Sequence, residues 1–170
     1  KMKTVVFRLG YRPIRDKRVN THLALVARAF GTSGMIMEDL DNGVVKAVRS
    51  VESRWGGKFF FQTRNWKSYL KDWKGIKIHL SMYGLPLDEV MEEIVFRDED
   101  ILVIVGAGKV PGDIYNLVDY NISVGTQPHS EISALAVFLD RLYKGKELDR
   151  DFNGKLRVIP SQRSKKFIRS

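Results

Sequence analysis

Ile101-Leu102-Val103-Ile104-Val105 offers no polar face to turn toward water. A strand of that kind is buried on both sides, and such strands belong to parallel sheets covered by helices. The rest of the chain supplies matching parts in alternation. Thr4 to Arg8, Gly34 to Met37, Phe59 to Phe61, Ile76 to Leu80 and Asn121 to Val124 read as further strands. Between them, His22 to Phe30, the spacing of Val44, Val45, Val48 and Val51, the set Trp66, Tyr69, Leu70 and Trp73, and Leu87 to Ile94 read as helices. Pro111 opens another at a first turn, where its missing N–H costs least, and Glu131 to Tyr143 is the last. Strands alternating with helices over short loops indicate an α/β fold with a mostly parallel sheet flanked by helices. The 170 residues suit one domain, over 1–145, followed by a basic extension, 146–170, that forms an edge strand or an arm.

Several classes are disfavoured. The longest apolar run, Ile101 to Ala107, is far shorter than the ~18 residues of a membrane span. The block after Lys1-Met2-Lys3 is too short for a signal peptide, so cytoplasm is the default compartment and no membrane partner is expected. Without cysteine there is no disulfide framework, thiolate metal site or cysteine nucleophile. His22, His79 and His129 are too scattered for a metal site, and no metal is expected. A dinucleotide-binding fold would carry its Gly-x-Gly-x-x-Gly turn after the first strand, where Gly10-Tyr11-Arg12-Pro13-Ile14-Arg15-Asp16-Lys17-Arg18 stands instead. Gly108-Lys109 is followed by Val110, which is not a phosphate loop.

Charge is segregated along the chain. Residues 1–20 carry seven basic side chains and one acid, and residues 141–170 carry ten and three, against a net −4 for the middle. Basic ends on a mildly acidic body suit a polyanion, nucleic acid above all, although solvated Lys-rich ends give the same pattern.

In open parallel sheets ligands bind beyond the carboxyl ends of the strands. Three glycine-bearing segments fall there: Leu80-Ser81-Met82-Tyr83-Gly84, Gly106 to Gly112, and Gly125-Thr126-Gln127-Pro128-His129-Ser130-Glu131. Glycine lets a backbone approach a ligand closely. His79 reads as a structural histidine inside a strand, and Ser130-Glu131 is equally a helix cap.

Arg8-Leu9-Gly10-Tyr11-Arg12-Pro13-Ile14-Arg15-Asp16-Lys17-Arg18, Thr21 to Gly31, Trp55-Gly56-Gly57, His79 to Gly84, Val105-Gly106, Lys109-Val110-Pro111 and Gly125 to Glu131 resemble, in order, the archaeal tRNA cytidine-56 ribose 2'-O-methyltransferases of the SPOUT superfamily. The resemblance implies a C-terminal trefoil knot, S-adenosylmethionine as methyl donor, tRNA as substrate and a homodimer. The donor site it implies comprises Leu80, Gly106, Ala107, Gly108, Lys109, Val110, Val124, Gly125, Thr126, Gln127, Pro128, His129, Ser130 and Glu131. Arg28 matches the superfamily's ribose-methylase arginine, which implies a catalytic role, orienting a phosphate or steadying the forming alkoxide, within its own subunit or across the dimer interface. His22 stands where that superfamily carries asparagine, His129-Ser130-Glu131 replaces Ser-Leu-Asn, and Gly108 occupies a place where glutamate is common. His22 and His129 are the histidines open to accepting the hydroxyl proton. Tyr11, Arg12, Arg15, Lys17 and Arg18 are expected to hold tRNA. Two other functions stay open: methylation of another RNA or of a base nitrogen, and RNA binding without catalysis.

Overall fold

A computed structural model describes residues 2–12, 14–108 and 110–170. The elements run β1 (Thr4–Leu9), α1 (Lys17–Ala29), β2 (Gly34–Met37), α2 (Asn42–Trp55), β3 (Phe60–Thr63), α3 (Trp66–Asp72), β4 (Ile76–Pro86), α4 (Leu87–Arg97), β5 (Ile101–Gly106), α5 (Ile114–Leu117), β6 (Tyr120–Ser123) and α6 (Glu131–Tyr143). A 3-10 turn, Lys146–Asp149, follows, then β7 (Leu156–Ile159) and β8 (Lys166–Arg169). The first six strands make one sheet in the order β3-β2-β1-β5-β4-β6, with every pairing parallel. The apolar run is near the middle as β5, between β1 and β4.

Alternation along the strands builds two cores. Val6, Met35, Ile78, Val103 and Val105 pack on one face against α1, α2, α4 and α6. Val5, Phe7, Leu9, Leu102 and Ile104 pack on the other, under Trp66 and Leu70 of α3 and Ile114 of α5. Asp41 caps α2 by accepting from the Gly43 amide, Asn65 caps α3 from that of Ser68, and Ser130 caps α6 from that of Ile132.

Three elements differ from the reading of the sequence. First, α1 begins at Lys17, not near His22, because its first buried residue is Asn20, a polar side chain invisible to an apolar period. Second, the segment after Pro111 is a turn leading into a single helical turn, α5. Third, β4 continues to Pro86. Ile122 of β6 is paired with both Leu80 and Leu85, with a register shift between them. A Cβ on Gly84 would run into the Asn121 carbonyl and the Ile122 nitrogen, so only glycine lets the chain lie so close to β6.

Among the described residues, the tail adds no strand to the main sheet. β7 and β8 form their own antiparallel hairpin, an arm joined to the body by a bridge between Gly56 and Asn153. Among the described residues no helix is long and apolar enough to cross a membrane.

Candidate active site

Because the six strands run the same way, their carboxyl ends share one edge of the sheet. A cleft of about 460 Å³ opens there, within the usual size range of small-molecule sites. Its walls are His79 to Tyr83 of β4; Val105, Gly106, Gly108 and Val110 around the end of β5; Tyr115 of α5; Val124, Gly125 and Gln127 to His129; and Glu131 and Ala134 of α6. Nine residues expected to hold a donor line it: Leu80, Gly106, Gly108, Val110, Val124, Gly125, Gln127, Pro128 and His129. Glu131 makes a tenth. Ala107, Thr126 and Ser130 are not on its walls. Ala107 is buried with its amide donating to the Leu9 carbonyl, and Ser130 is spent on capping α6. Lys109 lies outside the described residues. Gly125 has φ +78°, and a Cβ there would meet nothing within 4 Å, so backbone edge and open space face each other in the cleft.

The floor is polar, and the sequence does not announce it because it is assembled from β4, α5 and β6. His79, 2% exposed, contacts Asn121 Oδ1 through Nδ1 at 2.9 Å and meets the Tyr115 ring edge-on. Burial lowers its pKa from the ordinary value near 6.5, partly opposed by the Asn121 contact, and favours neutral imidazole. The Tyr115 hydroxyl and Ser81 Oγ are 2.7 Å apart.

His129 is exposed, yet both ring nitrogens are engaged: Nε2 with the Val124 carbonyl at 2.7 Å and Nδ1 with that of Ser130 at 3.0 Å. Carbonyls only accept, so the two contacts together favour imidazolium and raise the pKa. The ring clamps the 124–130 turn and has no nitrogen free to take a proton.

Under the cleft wall is a buried guanidinium. Arg8 is fully inaccessible, its Nε donating to Asn20 Oδ1 at 2.7 Å and its terminal nitrogens 3.4 Å from Glu131 Oε1. Burial lowers its pKa and the Glu131 carboxylate opposes the shift. Arg8 thus ties β1 and α1 to the first residue of α6, which lines the cleft. A charged residue within a β-rich run is the signal that could have found it.

The residues expected to contact RNA follow β1 on the same edge. Arg12, Arg15, Lys17 and Arg18 are exposed, and Asp16 shapes the segment by accepting from the Arg12 amide at 2.7 Å. Tyr11 is half-buried, its hydroxyl accepting from the Asp39 amide at 3.2 Å, and burial raises its pKa.

Residues 55–168 match the model of the family described as tRNA ribose 2'-O-methyltransferase, aTrm56. The chain belongs to this family. Curated relatives named tRNA (cytidine(56)-2'-O)-methyltransferase match along almost the whole of this chain. The one from Archaeoglobus fulgidus is 52% identical over 98% of this chain and 99% of its own. That from Methanopyrus kandleri is 53% identical over 98% and 97%. Solved structures share the fold at low identity. The SpoU methyltransferase AviRb from Streptomyces viridochromogenes, in complex with AdoMet, superposes with a TM-score of 0.57 at 15% identity, over 85% of this chain and 58% of its own. The TrmH/SpoU tRNA modifying enzyme of A. aeolicus gives 0.58 at 14%, over 91% and 80%.

Arg28 is not brought to the cleft of its own chain: it sits at the far end of α1, 8% exposed. Its Nη2 donates to the Gly56 carbonyl at 2.6 Å, and its guanidinium lies over the Phe152 ring at 4.7 Å. Desolvation lowers its pKa, opposed by Glu52. The helix runs antiparallel to the strands, so its last turn lies by their amino ends, and only its first turn reaches the cleft edge.

Proposed function

We propose that the protein methylates the 2'-hydroxyl of a tRNA ribose, that of cytidine-56, with S-adenosylmethionine as donor. The observation that carries this reading is the cleft at the carboxyl edge. It is walled by the three glycine-bearing segments at the strand ends, and it opens on the edge that bears the basic segment after β1.

The residues present fit such a donor. The walls mix apolar side chains, Leu80, Val105, Val110 and Val124, with the exposed backbone of Gly108 and Gly125. Glu131, the one carboxylate among the described lining residues, suits a cationic ligand. When bound, the donor supplies an activated methyl group, so the protein's work is positioning: the ribose oxygen must be held in line at roughly 3–3.5 Å. Arg12, Arg15, Lys17 and Arg18, with Tyr11, hold RNA phosphates beside the cleft. The hydroxyl proton must also leave. With both nitrogens of His129 engaged, His22, exposed on α1 and without a hydrogen bond among the described residues, is the one of those two histidines left to take it.

The reading extends to a trefoil-knotted homodimer. The double pairing of Ile122 with Leu80 and Leu85 supports a chain wrapped closely around β6, and the exposed Tyr83 and Leu85 offer apolar surface by the cleft mouth. In a dimer, Arg28 serves the reaction only by reaching the cleft of a second copy.

The test is incubation of the protein with tRNA transcripts and labelled donor, followed by mapping of the methylated nucleotide. Label at the ribose of cytidine-56 is the expected result. Label on a base, on another ribose or on none replaces the proposal with one of its rivals.

A further inference from the structure

We propose that the β7–β8 hairpin is a second RNA-binding surface, an arm that grips the phosphate backbone of the substrate away from the reacting ribose. The inference rests on the reading of tRNA as substrate and adds a grip on the opposite edge of the sheet from the cleft.

Charge is the first observation. Residues 152–170 carry Lys155, Arg157, Arg163, Lys165, Lys166 and Arg169 and no acid. Among the described residues only Arg157 of these six has a carboxylate partner, Asp151 at 3.0 Å. The other five are, among the described residues, cations without a counter-charge, and polyanionic phosphate is the chemistry that supplies one.

Exposure is the second. Apart from Leu156, the residues of both strands face solvent, among them the apolar Val158, Phe167 and Ile168, 59%, 45% and 53% exposed. Register partners share a face, so Val158 and Phe167 lie side by side on a groove of about 690 Å³ that Trp55 also lines. A two-stranded ribbon is marginal on its own, so an arm of this composition is made for contact with something else. Phe167, an exposed aromatic ring among cations, is the kind of side chain on which bases of single-stranded or looped RNA stack.

Rival occupants fit less well. Lysine is depleted in protein–protein interfaces, and this arm has three. Pairing with the same arm of a second copy would bring six cations onto six.

Placement is the third. The arm is fastened where α2 ends and the chain enters β3, through the Gly56–Asn153 bridge and Phe152, whose carbonyl accepts from the Gly57 amide at 3.0 Å. That is the amino edge of the parallel sheet, while the cleft and the basic segment after β1 lie on the carboxyl edge. The two edges are separated by the length of β1, roughly 20 Å for six residues. RNA held at both edges is clamped at two points, which adds affinity and orientation without touching the reacting atoms.

The experiment compares the parent with the variant Arg163→Gln, Lys165→Gln, Lys166→Gln, Arg169→Gln in tRNA binding across a salt series, with donor calorimetry and sedimentation on the same preparations. The expected result is weaker tRNA binding, carried in Kd and KM for tRNA, and a salt slope shallower by roughly 0.7–0.9 for each phosphate no longer neutralised. Donor affinity and sedimentation stay at parent values, and the control Arg163→Lys, Arg169→Lys keeps most of the slope. If the parent binds and methylates tRNA and the Gln variant matches it in affinity and slope, the arm is not an RNA surface and the proposed function stands. A change in sedimentation would make the arm an assembly element and also overturn the inference. A parent that neither binds nor methylates tRNA removes the proposed function first.

Discussion

Arg8 shows how a charge can be kept inside a sheet. Its guanidinium has left water completely, and Asn20 and Glu131 provide the hydrogen-bonding partners. Arg8→Ala should cost about 3 kcal/mol, the lower end for breaking a buried pair because Glu131 still reaches solvent. Arg8→Met, which keeps the volume and removes the desolvation penalty, should cost less. Both should weaken donor binding by unpinning Glu131, which thermal melts with calorimetry would check. Arg28 is the converse case. Without its charged hydrogen bond to Gly56 and its cation–π contact with Phe152, Arg28→Ala should be about 3 kcal/mol less stable. Below its melting point, a near-normal single-turnover rate would confine Arg28 to this structural role. A collapse of the rate with stability intact would place Arg28 in a partner's cleft and in the reaction. His79 adds a pH dependence. Its folded pKa is depressed by burial, so its contribution to stability is whole above the unfolded value near 6.5 and is lost as pH falls through the folded value. Denaturant melts should therefore weaken on the acid side of 6.5, and His79→Asn should flatten that limb.

At the level of elements, β4 makes the site. It pairs with the central β5, supplies one cleft wall and returns along β6, all within Ile76–Pro86. Gly84→Ala tests that return. Its Cβ would meet backbone, which cannot swing aside as a side chain can, so the cost should be about 1–3 kcal/mol or more. Because Tyr83 and Met82 line the cleft, donor affinity should fall with stability, in contrast to a cap variant such as Ser130→Ala. A melt and a donor titration on both variants would separate the two effects. The period-2 pattern ends at Leu80, and nothing in Ser81-Met82-Tyr83-Gly84 announces that the strand resumes. Its pairing depends on β6, some forty residues later, which no local pattern encodes.

Over the whole molecule, the basic ends are sorted to the two edges of the sheet. The segment after β1 lies by the cleft and the hairpin at the far edge, leaving the acidic surface of α4 between them in sequence. Neutralising Arg12, Arg15 and Arg18 together should lower tRNA affinity and flatten its salt dependence while leaving donor affinity alone, as filter binding and calorimetry would show. An unchanged slope would remove the segment from the RNA surface.

Element order, the parallel sheet and the position of the ligand cleft were legible in the chain itself. Apolar periodicity and glycine placement are local properties, and a parallel α/β sheet has one edge where glycine turns collect. Ten of the donor residues that the family resemblance implied line the cleft on that edge. The companions each side chain finds were not legible. Whether Arg8 reaches Glu131, whether Arg28 faces the cleft or Phe152, and whether the tail joins the sheet or forms its own hairpin depend on helix direction and long-range packing. A helix antiparallel to its strands carries its last turn away from the cleft of its own chain, and that geometry seats Arg28 against Gly56 and Phe152.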